Sequence, residues 1–109
     1  MRVLFDQGTP APLRRLLERH QVETAYERGW SSLENGELIS AAESAGFEVF
    51  VTTDRNLKYQ QNLASRKLAI VVLLSTSWPR IQVASASVVA AVNGAAAGSY
   101  TEVAIESAG

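Results

Sequence analysis

A chain of 109 residues with 47% hydrophobic and 19% charged residues can bury one core but not two. Its 10 basic and 11 acidic side chains give a formal net charge of -1, which excludes broad charge-driven nucleic-acid binding and leaves room only for a local basic rim. It has no cysteine, which excludes disulfides, thiolate metal sites and a cysteine nucleophile.

At the start of the chain, residues 2–5 read as a short central strand, whose Val3-Leu4-Phe5 leads straight into Asp6. Only three apolar residues separate Arg2 from Asp6, too few for a secretory leader, so a cytoplasmic protein is expected. Gln7-Gly8-Thr9-Pro10 reads as a turn into a helix, with Thr9 as N-cap and Pro10 at the first helical position. Leu13, Leu16 and Leu17 share one face of that helix, and His20 at its end is assigned no chemistry. Residues 22–26 have the mixed pattern of an outer strand. A loop over residues 29–35 follows. A helix then carries Leu38, Ile39, Ala42 and Ala45 on one face and stops at Gly46, with Ser31, Ser32 and Asn35 all open as its cap.

Residues 47–51 suit a buried strand, which releases Thr52-Thr53-Asp54-Arg55-Asn56 at its carboxyl end. Polar residues 56–63 read as a short helix. Residues 68–74 are apolar on both faces and read as a central parallel strand, closed by Ser75-Thr76-Ser77. Trp78-Pro79 opens a helix with Ile81, Ala84, Val88, Ala91 and Ala95 on one face, and residues 100–105 form a last strand. The uncharged stretch between Arg80 and Glu102 is long enough for a bilayer. Its serines, glycines, Asn93 and many alanines favour a packed helix instead. Alternating strands and helices with short links predict an α/β domain: three layers, with a mainly parallel sheet of four to five strands between helices.

With right-handed crossovers between parallel strands, Asp6, Asp54 and the Ser75 to Ser77 turn all fall at one edge, where ligands of open α/β sheets bind. The helix entering the central strand starts there too, bringing Asn35 and Glu37. Three convergent carboxylates repel one another unless a hard divalent cation with oxygen ligands sits between them; magnesium or manganese is the natural choice. Each has a plainer role as well: Asp6 ends a strand, Asp54 suits an Asx turn, and Glu37 sits where capping carboxylates belong. Arg55, Lys58 and Arg80 flank the edge and suit phosphates, or equally solvated surface.

Three segments together resemble the PIN-like family, in the small branch related to the toxin nucleases of bacterial toxin–antitoxin modules. They are Val3-Leu4-Phe5-Asp6 with Pro10 and its leucine helix, Asn35-Gly36-Glu37-Leu38-Ile39 through Ala42, and residues 47–54 with Gln60-Gln61-Asn62-Leu63 behind them. The resemblance covers most of residues 1–74 and implies a single PIN-like domain over residues 1–109. It implies a metal-dependent endoribonuclease with Asp6 and Asp54 as ligands; the shared edge adds Glu37 as a third catalytic and metal-binding carboxylate, with Mg2+ or Mn2+ as the ion. Asn35, Thr53, Arg55, Asn56, Lys58 and Arg80 are the expected substrate contacts. The expected partners are single-stranded or structured RNA, an antitoxin protein and a second copy of the chain. Asn35 stands where the family often has an aspartate. Asn56 replaces a second aspartate two residues after the one matching Asp54. These departures keep open an alternative, a PIN-like interaction module that binds protein or RNA without cleaving it. A phosphoacceptor domain with Asp54 as acceptor fits less well, because Phe5 and Gln7 flank Asp6 where a second acid is wanted.

Overall fold

A computed structural model describes residues 1–57, 63 and 65–105. Five strands, β1 (Arg2–Phe5), β2 (Gln21–Thr24), β3 (Val49–Thr52), β4 (Ala69–Leu73) and β5 (Tyr100–Val103), form one all-parallel sheet in the order β2-β1-β3-β4-β5. β1, β3 and β4 occupy its middle. Their near-continuous apolar runs follow from having both faces covered. β2 lies at one rim and is more exposed, as its mixed sequence predicts. The expected three-layer α/β architecture is present.

The period-2 alternation of the strands sorts the core into two halves. On the first face Val3, Phe5, Val49, Val51, Ala69, Val71, Leu73 and Val103 meet a 3-10 helix (Ala11–Leu17) and helices α2 (Trp78–Val83) and α3 (Ser85–Asn93). On the second, Leu4, Phe50, Ile70 and Val72 meet α1 (Asn35–Ser44). The Cα radius of gyration, 12.7 Å, is close to the ~13 Å expected of one domain of about 100 residues.

The local sequence accounts for the helix ends. α1 begins in a capping box: the Glu34 side chain accepts from the backbone of Glu37, and the Glu37 side chain accepts from the backbone of Glu34. None of the three expected caps is used. The helix stops where Gly46 takes φ 84°, a left-handed conformation that costs glycine nothing. The first helix is a 3-10 helix of seven residues rather than an α-helix. Thr9 does not cap it. Its hydroxyl donates instead to Asp6 and to the carbonyl of Val51. Leu13 and Leu17 are buried, whereas Leu16 is 36% exposed. The long helix expected after Trp78 is two, interrupted at Ala84 (φ -91°, ψ 16°). The helix expected over residues 56–63 falls largely outside the described residues.

The crossovers depart from the usual handedness rule. The β1-to-β2 link runs over the first face towards the β2 rim. The β2-to-β3 link runs over the second face towards β5, and Leu57 and Leu63, the placed apolar residues after β3, pack on that face too. Reversing both face and direction preserves the hand, so these two links agree. The β4-to-β5 link runs towards the β5 rim over the first face, so its hand is opposite. Nearly all such crossovers are right-handed, so a mixture of hands breaks the rule, and burial accounts for the placement of the last link. Without α2 and α3, only a seven-residue 3-10 helix would shield the first face of β3, β4 and β5. Val49, Val51, Val71, Leu73 and Val103 would then meet water. Burying each such side chain is worth about 1.5–3 kcal/mol, and Ile81, Val88 and Val92 cover them.

No helix among the described residues is long and apolar enough to cross a membrane. The uncharged segment after Arg80 instead supplies one side of the core.

Candidate functional site

In the order β2-β1-β3-β4-β5, the chain leaves β1 towards one rim and later returns to the other side of β1. The topological switch point therefore lies between β1 and β3, and crevices outside the carboxyl ends of strands at such points are where open α/β sheets bind ligands. Asp6 is the first residue after β1, and Asp54 follows β3 by two. The all-parallel order, not the hand of the crossovers, brings them together.

A hydrogen-bonded chain joins the two carboxylates through Thr52. The fully buried Thr52 hydroxyl donates to Asp6 Oδ2 and accepts from the backbone N–H of Asp54 at 3.1 Å. Thr9 donates to Asp6 Oδ1 at 2.7 Å, while Asp6 N–H donates to the Val51 carbonyl at 3.1 Å and fixes the loop to the end of β3. The Asp54 carboxylate is oriented just as fully: Asn35 Nδ2 donates to Oδ2 at 2.6 Å, and Asn56 N–H donates to Oδ1 at 2.9 Å. The Asx turn anticipated at Asp54 is therefore formed, and it serves to aim a carboxylate. Gly8 is required here by close approach. A Cβ on it would stand 2.6 Å from Thr53 Oγ1.

The Asp6 carboxyl lies above its ordinary value. Burial is the main cause and the nearby Asp54 charge adds to it, while the bonds from Thr52 and Thr9 pull in the opposite direction. Asp6 is thus a carboxyl whose charged form is disfavoured chiefly by burial, and a neighbouring cation would favour it.

Of the expected site residues, the structure gathers Asp6, Asp54, Asn35, Asn56 and Thr53. It does not add Glu37, whose Oε1 accepts from Glu34 N–H at 3.3 Å in the capping box. Among the described residues no group of three or more histidine, aspartate or glutamate side chains is arranged to hold a metal ion. The expected trio is therefore a pair. Arg55 reaches across to the carbonyl of Leu74 at the end of β4, at 3.3 Å, and stays exposed beside the site. Arg80 lines a different concavity with Val83, Ser87 and Ala104. Lys58 lies outside the described residues.

Thr9, Thr52 and Tyr26 complete the surroundings and were not singled out for chemistry by sequence. A groove of ≈ 670 Å³ opens from Asp6 along Thr9, Pro10 and Thr24 to Tyr26 and Thr76. A smaller recess of ≈ 160 Å³ runs from Asp6 past Trp30 to Asn35. The doublet Thr52-Thr53 before Asp54 was the available signal. One threonine of such a pair points into the sheet, and a buried hydroxyl needs a partner.

The donor set fits a hard divalent cation. The two carboxylates are oxygen ligands of the type such a cation prefers, while the hydroxyls of Thr9 and Thr52 and the amide NH2 of Asn35 are taken up in orienting them. Magnesium is usually bound by one or two protein carboxylates, with waters and substrate phosphates completing its shell, so a pair suffices.

Compared with protein-family models, with curated proteins and with solved structures, the chain matches none of them.

Proposed function

We propose that the protein is a PIN-like, magnesium- or manganese-dependent endoribonuclease of the toxin type. The observation that carries this reading is the pair Asp6 and Asp54, oriented through Thr52 at the topological switch point. Asp6 is kept partly buried beside a second carboxylate at a cost that is chiefly desolvation, to which the Asp54 charge adds, and a bound cation would offset it. A divalent ion bound there supplies water activation and stabilisation of the charge that develops on a cleaved phosphodiester. Asp6 and Asp54 are the residues that would hold it. Thr9 and Thr52 fix the Asp6 carboxylate, while Asn35 and Asn56 fix that of Asp54. Exposed Arg55 is placed for the phosphate backbone. An antitoxin protein and a second copy of the chain are the partners this function would bring.

Incubation of the purified protein with single-stranded and hairpin RNAs in millimolar manganese tests the proposal. Cleavage is expected from the wild type and not from Asp6→Asn or Asp54→Asn. Cleavage by both variants at the wild-type rate would remove the carboxylates from the chemistry. The alternative, an interaction module that binds without cutting, draws on the capping role of Glu37 and on Asn35 and Asn56 standing in place of acids. RNA retained by the wild type but left intact in manganese would select it.

A further inference from the structure

Among the described residues three large apolar or aromatic side chains are exposed, Leu16, Val83 and Tyr26, and Tyr26, 79% exposed, is the aromatic one. A single exposed aromatic needs no explanation by itself. This one lies in the same groove as Asp6. Its backbone is also firmly held. In the turn after β2, Ala25 N–H donates to the Phe5 carbonyl at 2.8 Å, Trp30 N–H to Ala25 at 2.8 Å, and Gly29 N–H to Tyr26 itself at 3.0 Å. The next residue, Glu27, is tied to Thr24 and Arg14. The ring therefore projects from an anchored turn, and its two side-chain torsions leave little entropy to lose on contact.

The groove that joins Asp6 to this solvent-facing aromatic has no basic side chain in its lining among the described residues, so what it offers a nucleic acid is a stacking face rather than a charged track. Unstacked bases find their partners on such rings, while bases within a duplex are already stacked. The groove wall adds Pro10 and Ala11, which are apolar, and Gln7, Thr24 and Thr76, which offer hydrogen bonds to base edges or to a 2′-hydroxyl. We infer that Tyr26 is a nucleobase-stacking platform that selects single-stranded RNA and seats one unpaired base beside the Asp6 and Asp54 pair. This rests on the ribonuclease reading of that pair.

The test compares wild type, Tyr26→Phe and Tyr26→Leu for binding a fluorescein-labelled single-stranded RNA 12-mer, a hairpin stem of the same length and a 12-mer in which every base is abasic. Titrations are run in calcium by fluorescence anisotropy. Thermal melts of the three proteins should coincide, since the ring is in solvent. Tyr26→Phe should bind the single strand as wild type does. Tyr26→Leu should bind it roughly 5- to 150-fold more weakly, the range that one base–aromatic stack supplies. All three should bind the abasic strand alike and bind the stem more weakly than the single strand. Wild-type and Tyr26→Leu proteins with equal single-strand affinity would overturn the stacking role and leave the ribonuclease reading standing. A wild type that binds none of the RNAs would overturn that reading and the inference together. Loss of affinity for the abasic strand in Tyr26→Leu would also count against stacking, because no base is there to lose.

Discussion

Replacing Thr52 with valine keeps the shape of the side chain and removes only its hydroxyl. That hydroxyl makes two bonds at a fully buried position: it donates to the Asp6 carboxylate and accepts from the N–H of Asp54. A hydrogen bond to a charged group contributes about 1.5–3 kcal/mol and a neutral one about 0.5–1.5 kcal/mol. Burying a methyl in place of the hydroxyl returns roughly 0.8 kcal/mol. The variant should therefore lose about 1–3.5 kcal/mol, and Tm should fall by at least about 4 °C per kcal/mol for a chain of this size. The pH dependence gives a second and sharper signature. The folded Asp6 carboxyl lies above its ordinary value, so its contribution to stability is fully present below the unfolded value and is lost as pH rises through the folded one. The Thr52 bond lowers the folded value, so removing it raises that value further and enlarges the loss. The deficit of Thr52→Val should thus be larger at pH 7 than near pH 4, while Thr52→Ser should track the wild type. Urea melts across that range provide the assay. A Thr52→Val protein with wild-type stability and an unchanged pH profile would refute the link between the two carboxylates.

Other substitutions separate roles that the structure assigns. Glu37→Gln keeps an acceptor for the Glu34 N–H, so melts should shift by less than about 0.5 kcal/mol and manganese-dependent cleavage should persist; loss of cleavage in a stably folded variant would return Glu37 to the chemistry. Gly8→Ala brings a methyl to 2.6 Å from Thr53 Oγ1 and should cost roughly 1–3 kcal/mol, read by denaturant melts; wild-type stability would show that the close approach at Gly8 is not needed. Phe50→Ala empties the centre of the second core half and should cost about 3–5 kcal/mol by the same measurement.

The strands were legible because each central one is apolar on both faces. Val3 to Phe5, Val49 to Val51 and Ala69 to Leu73 sit where their composition puts them, and Gly46 ends α1 as a glycine there should. Their order in the sheet was not legible, since any two such strands suit a parallel pairing equally well. Nor was the reversed hand of the last crossover, which depends on how much of the first face the short 3-10 helix leaves bare. Thr9 has the composition of a cap, but the nearby Asp6 carboxylate and Val51 carbonyl claim its hydroxyl. The interruption at Ala84 has no proline or glycine beside it to announce it. At the site, the expectation that Asp6 and Asp54 share an edge rests on parallel strands with right-handed crossovers; the parallel strands hold, the uniform hand does not, and the adjacency of β1 and β3 is what brings the two together. The capping box at α1 was an equally visible pattern, and it is the one that takes Glu37. Thr52 acquires its role only once β1 and β3 are neighbours, with Phe5 opposite Val51 in register.

The central claim, that Asp6 and Asp54 form a cation site, is tested most directly by thermal melts of wild type and Asp54→Asn with and without manganese. The substituted amide keeps an oxygen for the Asn56 N–H, and a flip of Asn35 restores the second bond, so packing should change little. In the absence of metal the variant should be as stable as the wild type or modestly more so, because one of two neighbouring charges is gone. Manganese at a hundredfold excess over its dissociation constant should stabilise the wild type by about 2.7 kcal/mol and the variant by much less. Equal stabilisation of both proteins, or of neither, would contradict the assignment.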